Sequence, residues 1–332
     1  MQELRHCGLR RRASVASSMV ALALLLLAGC KTSDDAAAAA TQLTATANSL
    51  TSYYTALDSL LSETDQLYEV QGAINPITPY DARTRALVAD TKKEIELREK
   101  LASALTTLAQ EYAKLSGSTA AASAESDAGN LETALAGLNQ TRVSMSAGNV
   151  NLMKDAVDDI VKSIQERKER EASVAIDKFT TALDNWFKEE EPYYNSIGAN
   201  YASLTQALAH TLVSKGQVDA SSFLNVALSP YGLTAQLSDP ALKASIDNVL
   251  AAQIDQKATA LATAQASASA SMEKALAEMA SRIHLVAKDK PMAIRTAPVT
   301  LADVENWISL VPQIAGTASP AAGSASSSSK SK

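Results

Sequence analysis

Leu50, Tyr54, Leu57, Leu61, Thr64 and Tyr68 recur at alternating steps of four and three. A stripe of 3.5-residue period keeps one seam facing a partner over many turns, so it marks helices packed lengthwise at a shallow angle. The step returns in Leu101, Leu105, Leu108, Tyr112 and Leu115. From Val150 a helical pattern resumes with Val157, Ile160 and Ile164, then Val174, Phe179, Leu183 and Trp186. No strand-like alternation of useful length breaks in. Aromatic residues are 4% of the 332, with 12 Gly and 9 Pro, too few for the turns and cross-strand pairs of a sandwich or barrel. Hydrophobic residues, at 46%, supply a core. The chain is read as all-α, an elongated bundle of long antiparallel helices with coiled-coil-like packing.

Breakers divide the chain. Gly72 and the run 75–79 stop the first helix. Thr78 as cap and Pro79 in the first turn are expected to open a second helix, Asp81 to Ser116, roughly 54 Å long. Residues 117–130 are small and weakly patterned, and read as a loop. A helix follows from Leu131, with a weak point at Gly148-Asn149. From Val150 one helix is expected to reach Glu191, before Pro192, with the charge run Gln165–Glu171 as a solvated face inside it. In the subregion 192–238 the only formal charges are Lys215 and Asp219. It is expected to hold a helix from Ile197 to Ser214, a turn at Lys215-Gly216 and a short helix over Ala220–Leu228. Asp239-Pro240 then opens the last long helix, to about Lys288. Its middle, Lys257 to Met272, is nearly all Ala, Ser, Thr and Gln, which permits close helix approach. Pro291 and Pro298 suggest an extended crossing, and Thr300 to Leu310 a short helix sealed onto the bundle by Trp307. The bundle thus covers 41–314, and 315–332 is a disordered Ser/Ala-rich tail.

At the amino terminus, Arg5, Arg10, Arg11 and Arg12 precede an uncharged stretch from Ala13 to Cys30. Its apolar core, Met19–Ala28, is about half the ~20 residues a membrane span needs. It closes in Leu27-Ala28-Gly29-Cys30. This order resembles the signal peptide and lipobox of bacterial lipoproteins. The resemblance implies that residues 1–29 are a signal cut between Gly29 and Cys30. It also implies that the Cys30 sulfur carries a diacylglyceryl group and its amino group an acyl chain. The lipid bilayer is then a partner, and 30–40 a tether. Each buried methylene contributes about 0.8 kcal/mol, so two or three chains anchor stably. In the enterobacterial sorting pattern an aspartate after the cysteine retains lipoproteins at the inner membrane. Lys31 stands there, which implies the outer membrane, facing the periplasm or the cell surface. Cys7 would leave with the signal, so the mature chain would have no disulfide and be held by packing alone.

The remaining chemistry is sparse. A net charge of −6 argues against nucleic acid as a partner. His6 lies in the signal, and His210 and His284 have no acidic or His neighbour at helical spacing to make a metal pair. No phosphate loop or nucleophile elbow occurs. No catalytic residue, metal or cofactor is assigned, and the chain is read as not an enzyme. Glu189-Glu190-Glu191 reads as a solvated helix end. Trp186, Phe187, Tyr193 and Tyr194 form the densest aromatic cluster, either core at one end of the bundle or a tip for partner contact. The expected function is a lipid-anchored, non-enzymatic envelope module, structural or binding an unidentified envelope protein, with oligomerisation open. Two other roles remain open. One is a bundle whose Ala-rich helix lines a cavity for a small apolar ligand or haem. The other is a pore-forming or membrane-remodelling protein, suggested by 192–238 although no 18-residue apolar run occurs there.

Overall fold

A computed structural model describes residues 7–75, 80–116, 124–138, 147–166, 168–218, 224–225, 228–233, 239–288, 290 and 301–314, with 7–37 as backbone alone. Among the described residues no strand occurs, and the chain is all-α. The helices are α1 (Cys7–Ile74), α2 (Ala82–Ser116), α3 (Ala124–Leu138), α4 (Ala147–Gln165), α5 (Glu169–Ser214), α6 (Pro240–Ala287) and α7 (Ala302–Ile314).

Side-chain pairs fix the directions. Along α1, Asn48, Thr55, Ser62 and Glu69 meet Thr106, Glu99, Lys92 and Arg85 of α2 in turn, an antiparallel hairpin held in register. Along α5, Asp177, Tyr194 and Gln206 meet His284, Gln265 and Asp255 of α6, a second antiparallel hairpin. The short α4 lies antiparallel on the first half of α5, through Asn149–Glu189 and Lys178–Asp159. Tyr80 stacks on Tyr68 and donates to Asp65, closing the α1–α2 joint. Lys215 donates to the Ile74 carbonyl and ties the ends of the two hairpins.

The core follows the stripe. Leu50, Tyr54, Leu57, Leu61 and Thr64 are all buried, and so are Leu101, Leu105, Leu108 and Tyr112. On α1 the buried face is wider than a two-helix seam. Leu43, Thr46, Ala47, Tyr53 and Leu60 join it, because α1 touches α2, α5, α6 and α7.

Several boundaries differ from the sequence reading. The expected tether is helical, and Ala39 and Ala40 are already core. Asp81 caps α2, its carboxylate accepting from the Thr84 N–H at 2.7 Å; Thr78 and Pro79, the expected cap and first-turn proline, lie outside the described residues. Part of the expected loop 117–130 is helical, since α3 starts at Ala124 and anchors through Leu131, Leu135 and Leu138. The helix expected from Val150 to Glu191 is two helices. Gln165–Glu171 contains no apolar side chain to bury, and the chain reverses there, closed by the Lys168 N–H on the Ser163 carbonyl. Lys168 bridges Glu166 at 2.7 Å and Glu171 at 3.2 Å across the turn. Pro192 does not stop α5. Pro192 and Lys188, whose carbonyl loses its donor, are both exposed, so the lost bond falls on the solvent side of the helix and not in the core. Phe187, Glu190, Tyr194 and Ile197 continue one buried face across the proline.

The last third follows expectation more closely. α5 ends at Ser214, and Gly216 takes the left-handed turn at φ 64° that favours glycine. Asp239 caps α6, accepting from the Ala241 N–H at 2.8 Å. α7 starts at Ala302 and runs past Pro312 to Ile314. The short helix expected at Ala220–Leu228 falls mostly outside the described residues. The crossing through Pro291 and Pro298 and the tail 315–332 lie wholly outside them.

Candidate functional site

The chemistry of the molecule concentrates where α1, α2, α5, α6 and α7 meet. Arg98 of α2 and Glu190 of α5 are both fully buried, their side chains 0% exposed. The guanidinium grips the carboxylate in a fork, Nε to Oε2 and Nη2 to Oε1, each 2.8 Å. Nη1 donates to the Glu94 carbonyl at 2.7 Å. Such bidentate pairing compensates the loss of water that would otherwise expel two charges from a core.

A chain of hydroxyls extends the pair. The Tyr194 hydroxyl donates to Glu190 Oε2 at 2.5 Å. Its proton is thereby committed, so the Tyr54 hydroxyl, 3.2 Å away, donates to Tyr194. Burial pushes the Tyr54 and Tyr194 pKa values above the ordinary tyrosine range, which keeps both protonated as donors. Burial works against the charge on Arg98, but the Tyr194 and Glu190 oxygens outweigh it, and the arginine pKa lies above its usual value. Tyr193 reaches Glu94 from the outer side at 3.2 Å.

Aromatic rings insulate this pair. The Arg98 guanidinium lies 5.4 Å from the Trp186 ring and 5.7 Å from Tyr193. Tyr53 packs within 6.0 Å of Tyr54, Phe187, Tyr194 and Trp307. Trp307 thus seals α7 onto the bundle, as expected. Across from them, Gly198 lets α6 approach. A β-carbon there would sit 2.5 Å from Gln265 Oε1. Gln265 uses that closeness to donate to the Tyr194 carbonyl at 2.8 Å, and Ser269 bonds the Tyr53 hydroxyl at 2.7 Å.

Of the candidate partner-contact residues, Trp186, Phe187 and Tyr194 are core and Tyr193 is half-buried. They lie in the middle of α5, so they form no binding tip at an end of the bundle. The acidic triplet is corrected too: it sits mid-helix, with Glu189 exposed and Glu190 the buried partner of Arg98. A run of three carboxylates hides which one turns inward, and Arg98 lies 92 positions away. The only sequence hint was that Glu190 and Tyr194 share a face with Phe187 and Ile197.

The histidines sit apart from this centre. His210 Nε2 lies 2.6 Å from Asp255, which also accepts from Gln206 at 2.8 Å. His284 lies 3.0 Å from Asp177. Both partners come from the facing helix, which spacing along one helix does not reveal. Among the described residues no three His, Cys, Asp or Glu side chains gather as metal ligands. Gly29 and Cys30, the cleavage and lipidation candidates, lie on the α1 backbone before the packed core. Among the described residues no helix is long and apolar enough to cross a membrane. Comparison with known protein families, characterised proteins and solved structures gives no match.

Proposed function

We propose that this chain is a lipid-anchored, non-enzymatic helical protein of the cell envelope that serves as a rigid structural or protein-interaction module. The observation that carries it is the order of parts at the amino terminus: arginines, a short apolar core, then Leu27-Ala28-Gly29-Cys30. The packing supports the same reading. The core begins at Ala39 and Ala40, roughly three helical turns after Cys30, so acyl chains there hold the bundle close to the bilayer. α6 alone, at 48 residues, reaches about 72 Å from one end to the other. Arg98 and Glu190 satisfy each other in the core and are closed off from solvent, which favours a scaffold role for this pair over a catalytic one. Lys31 favours the outer membrane.

The test compares the native chain with Cys30→Ser after expression in a diderm bacterium. The native chain is expected in the membrane fraction and the detergent phase of a cloud-point extraction, labelled by an alkyne-tagged palmitate. Cys30→Ser takes up no label and stays unprocessed. A native chain that enters the aqueous phase unlabelled overturns the proposal.

A further inference from the structure

Near the C-terminal end of α7 an apolar groove of about 620 Å³ opens between α5 and α6. Tyr201 and Ala209 of α5 form one wall, and Ile254, Ala258 and Leu261 of α6 the other, with Leu310 of α7 across one end. Alanines at 209 and 258 leave the space between the walls unfilled. Their side chains end at one carbon, so two helices in register leave a furrow that leucines would fill. The size lies in the range of small-molecule sites, which are mostly apolar with a few placed polar groups.

The polar groups lie on the same lining. Lys257 lines the groove, is exposed, and has no acceptor among the described residues. Its acidic neighbour Asp255 is already engaged by Gln206 and His210. Lys257 therefore places a positive charge at the edge of an apolar furrow whose nearest acidic side chain is occupied elsewhere. We propose that the groove binds a single-chain anionic amphiphile, a free fatty acid, with its acyl chain against Tyr201, Ala258 and Leu261 and its carboxylate on Lys257. Thr205, whose hydroxyl donates to the Tyr201 carbonyl at 2.9 Å, and Gln206, whose amide donates to Asp255, complete the lining. The site is independent of the anchor. Leu261 lies 26 residues up α6 from Ala287, roughly 39 Å from the end where Arg282 meets Gln42 of α1.

The experiment uses the full chain in its native membranes and a diazirine-bearing palmitate, followed by peptide mapping. Photolabel is expected on the peptides carrying Tyr201–Ala209 and Ile254–Leu261, and excess palmitate competes it away. Lys257→Glu, on the exposed face, is expected to reduce that label at least fivefold, and Ala258→Trp to abolish it by filling the furrow. Far-UV circular dichroism checks that both variants fold. A diazirine alkylamine should show the reverse response to Lys257→Glu. Label spread evenly over the chain, or label in the groove unchanged by Lys257→Glu, overturns the proposal. The outcome is separable from the anchor test, because label on Cys30 and label in the groove fall on different peptides.

Discussion

Replacing Arg98 by methionine removes one member of a fully buried ion pair and keeps most of its volume. Glu190 is then left as a carboxylate in the core with only the Tyr194 hydroxyl, while the Glu94 carbonyl loses the side-chain donor and keeps its place in the α2 ladder. Breaking a buried pair in this way costs about 3–5 kcal/mol, most of it the stranded charge. Glu190→Leu strands the guanidinium instead, at similar cost. The double variant Arg98→Met/Glu190→Leu strands no charge and leaves only the Tyr194 hydroxyl without its acceptor, since Tyr54 still donates to Tyr194. It is expected to cost about 1–3 kcal/mol, less than either single change. The coupling between the two positions therefore exceeds about 2 kcal/mol. Urea unfolding read by tryptophan fluorescence suits the measurement, since Trp186 lies against Arg98. Circular dichroism must give the same midpoints for the comparison to hold. An Arg98→Met cost under about 1 kcal/mol, or additive effects, refutes the account of the pair as a closed ionic unit.

Gly198→Ala should destabilise although alanine is the better helix former. The new methyl collides with Gln265, an overpacking cost of about 1–3 kcal/mol against a gain of about 1 kcal/mol. Gly129→Ala, with nothing within 4 Å, should stabilise by about 0.5–1 kcal/mol, so opposite signs in thermal melts are the expected result. Trp307→Ala should cost about 3–5 kcal/mol and raise hydrogen exchange in α7 first. Hydrogen bonds from Gln206 and His210 hold the Asp255 carboxyl below the usual carboxylate range. A lowered folded-state pKa gives stability that is present above the unfolded value, near ~3.9, and lost as pH falls through the folded one. Asp255→Asn should flatten that part of the acid limb in a plot of Tm against pH, and an unchanged limb contradicts the assignment.

The helical class and the buried stripes could be read directly, because a 3.5-residue repeat is local and survives in a single segment. Boundaries set by local chemistry were also legible, as at Asp239-Pro240 and Lys215-Gly216. Those set by tertiary burial were not. Pro192 reads as a stop until its exposed side is known, and Gln165–Glu171 reads as a solvated face until α4 is seen folded back on α5. The ionic centre was hidden for the same reason. Nothing at Arg98 distinguishes it from Arg83 or Arg85 until α2 meets α5. The aromatic cluster was visible as a cluster, but its burial depends on Tyr53 and Trp307, which come from opposite ends of the chain.

The mass of the amino-terminal peptide of the native protein tests the anchoring claim most directly. The account predicts a chain that starts at Cys30 and carries a diacylglyceryl group with an added N-acyl chain. A chain that still carries residues 1–29, or a Cys30 with a free thiol and a free amine, contradicts it.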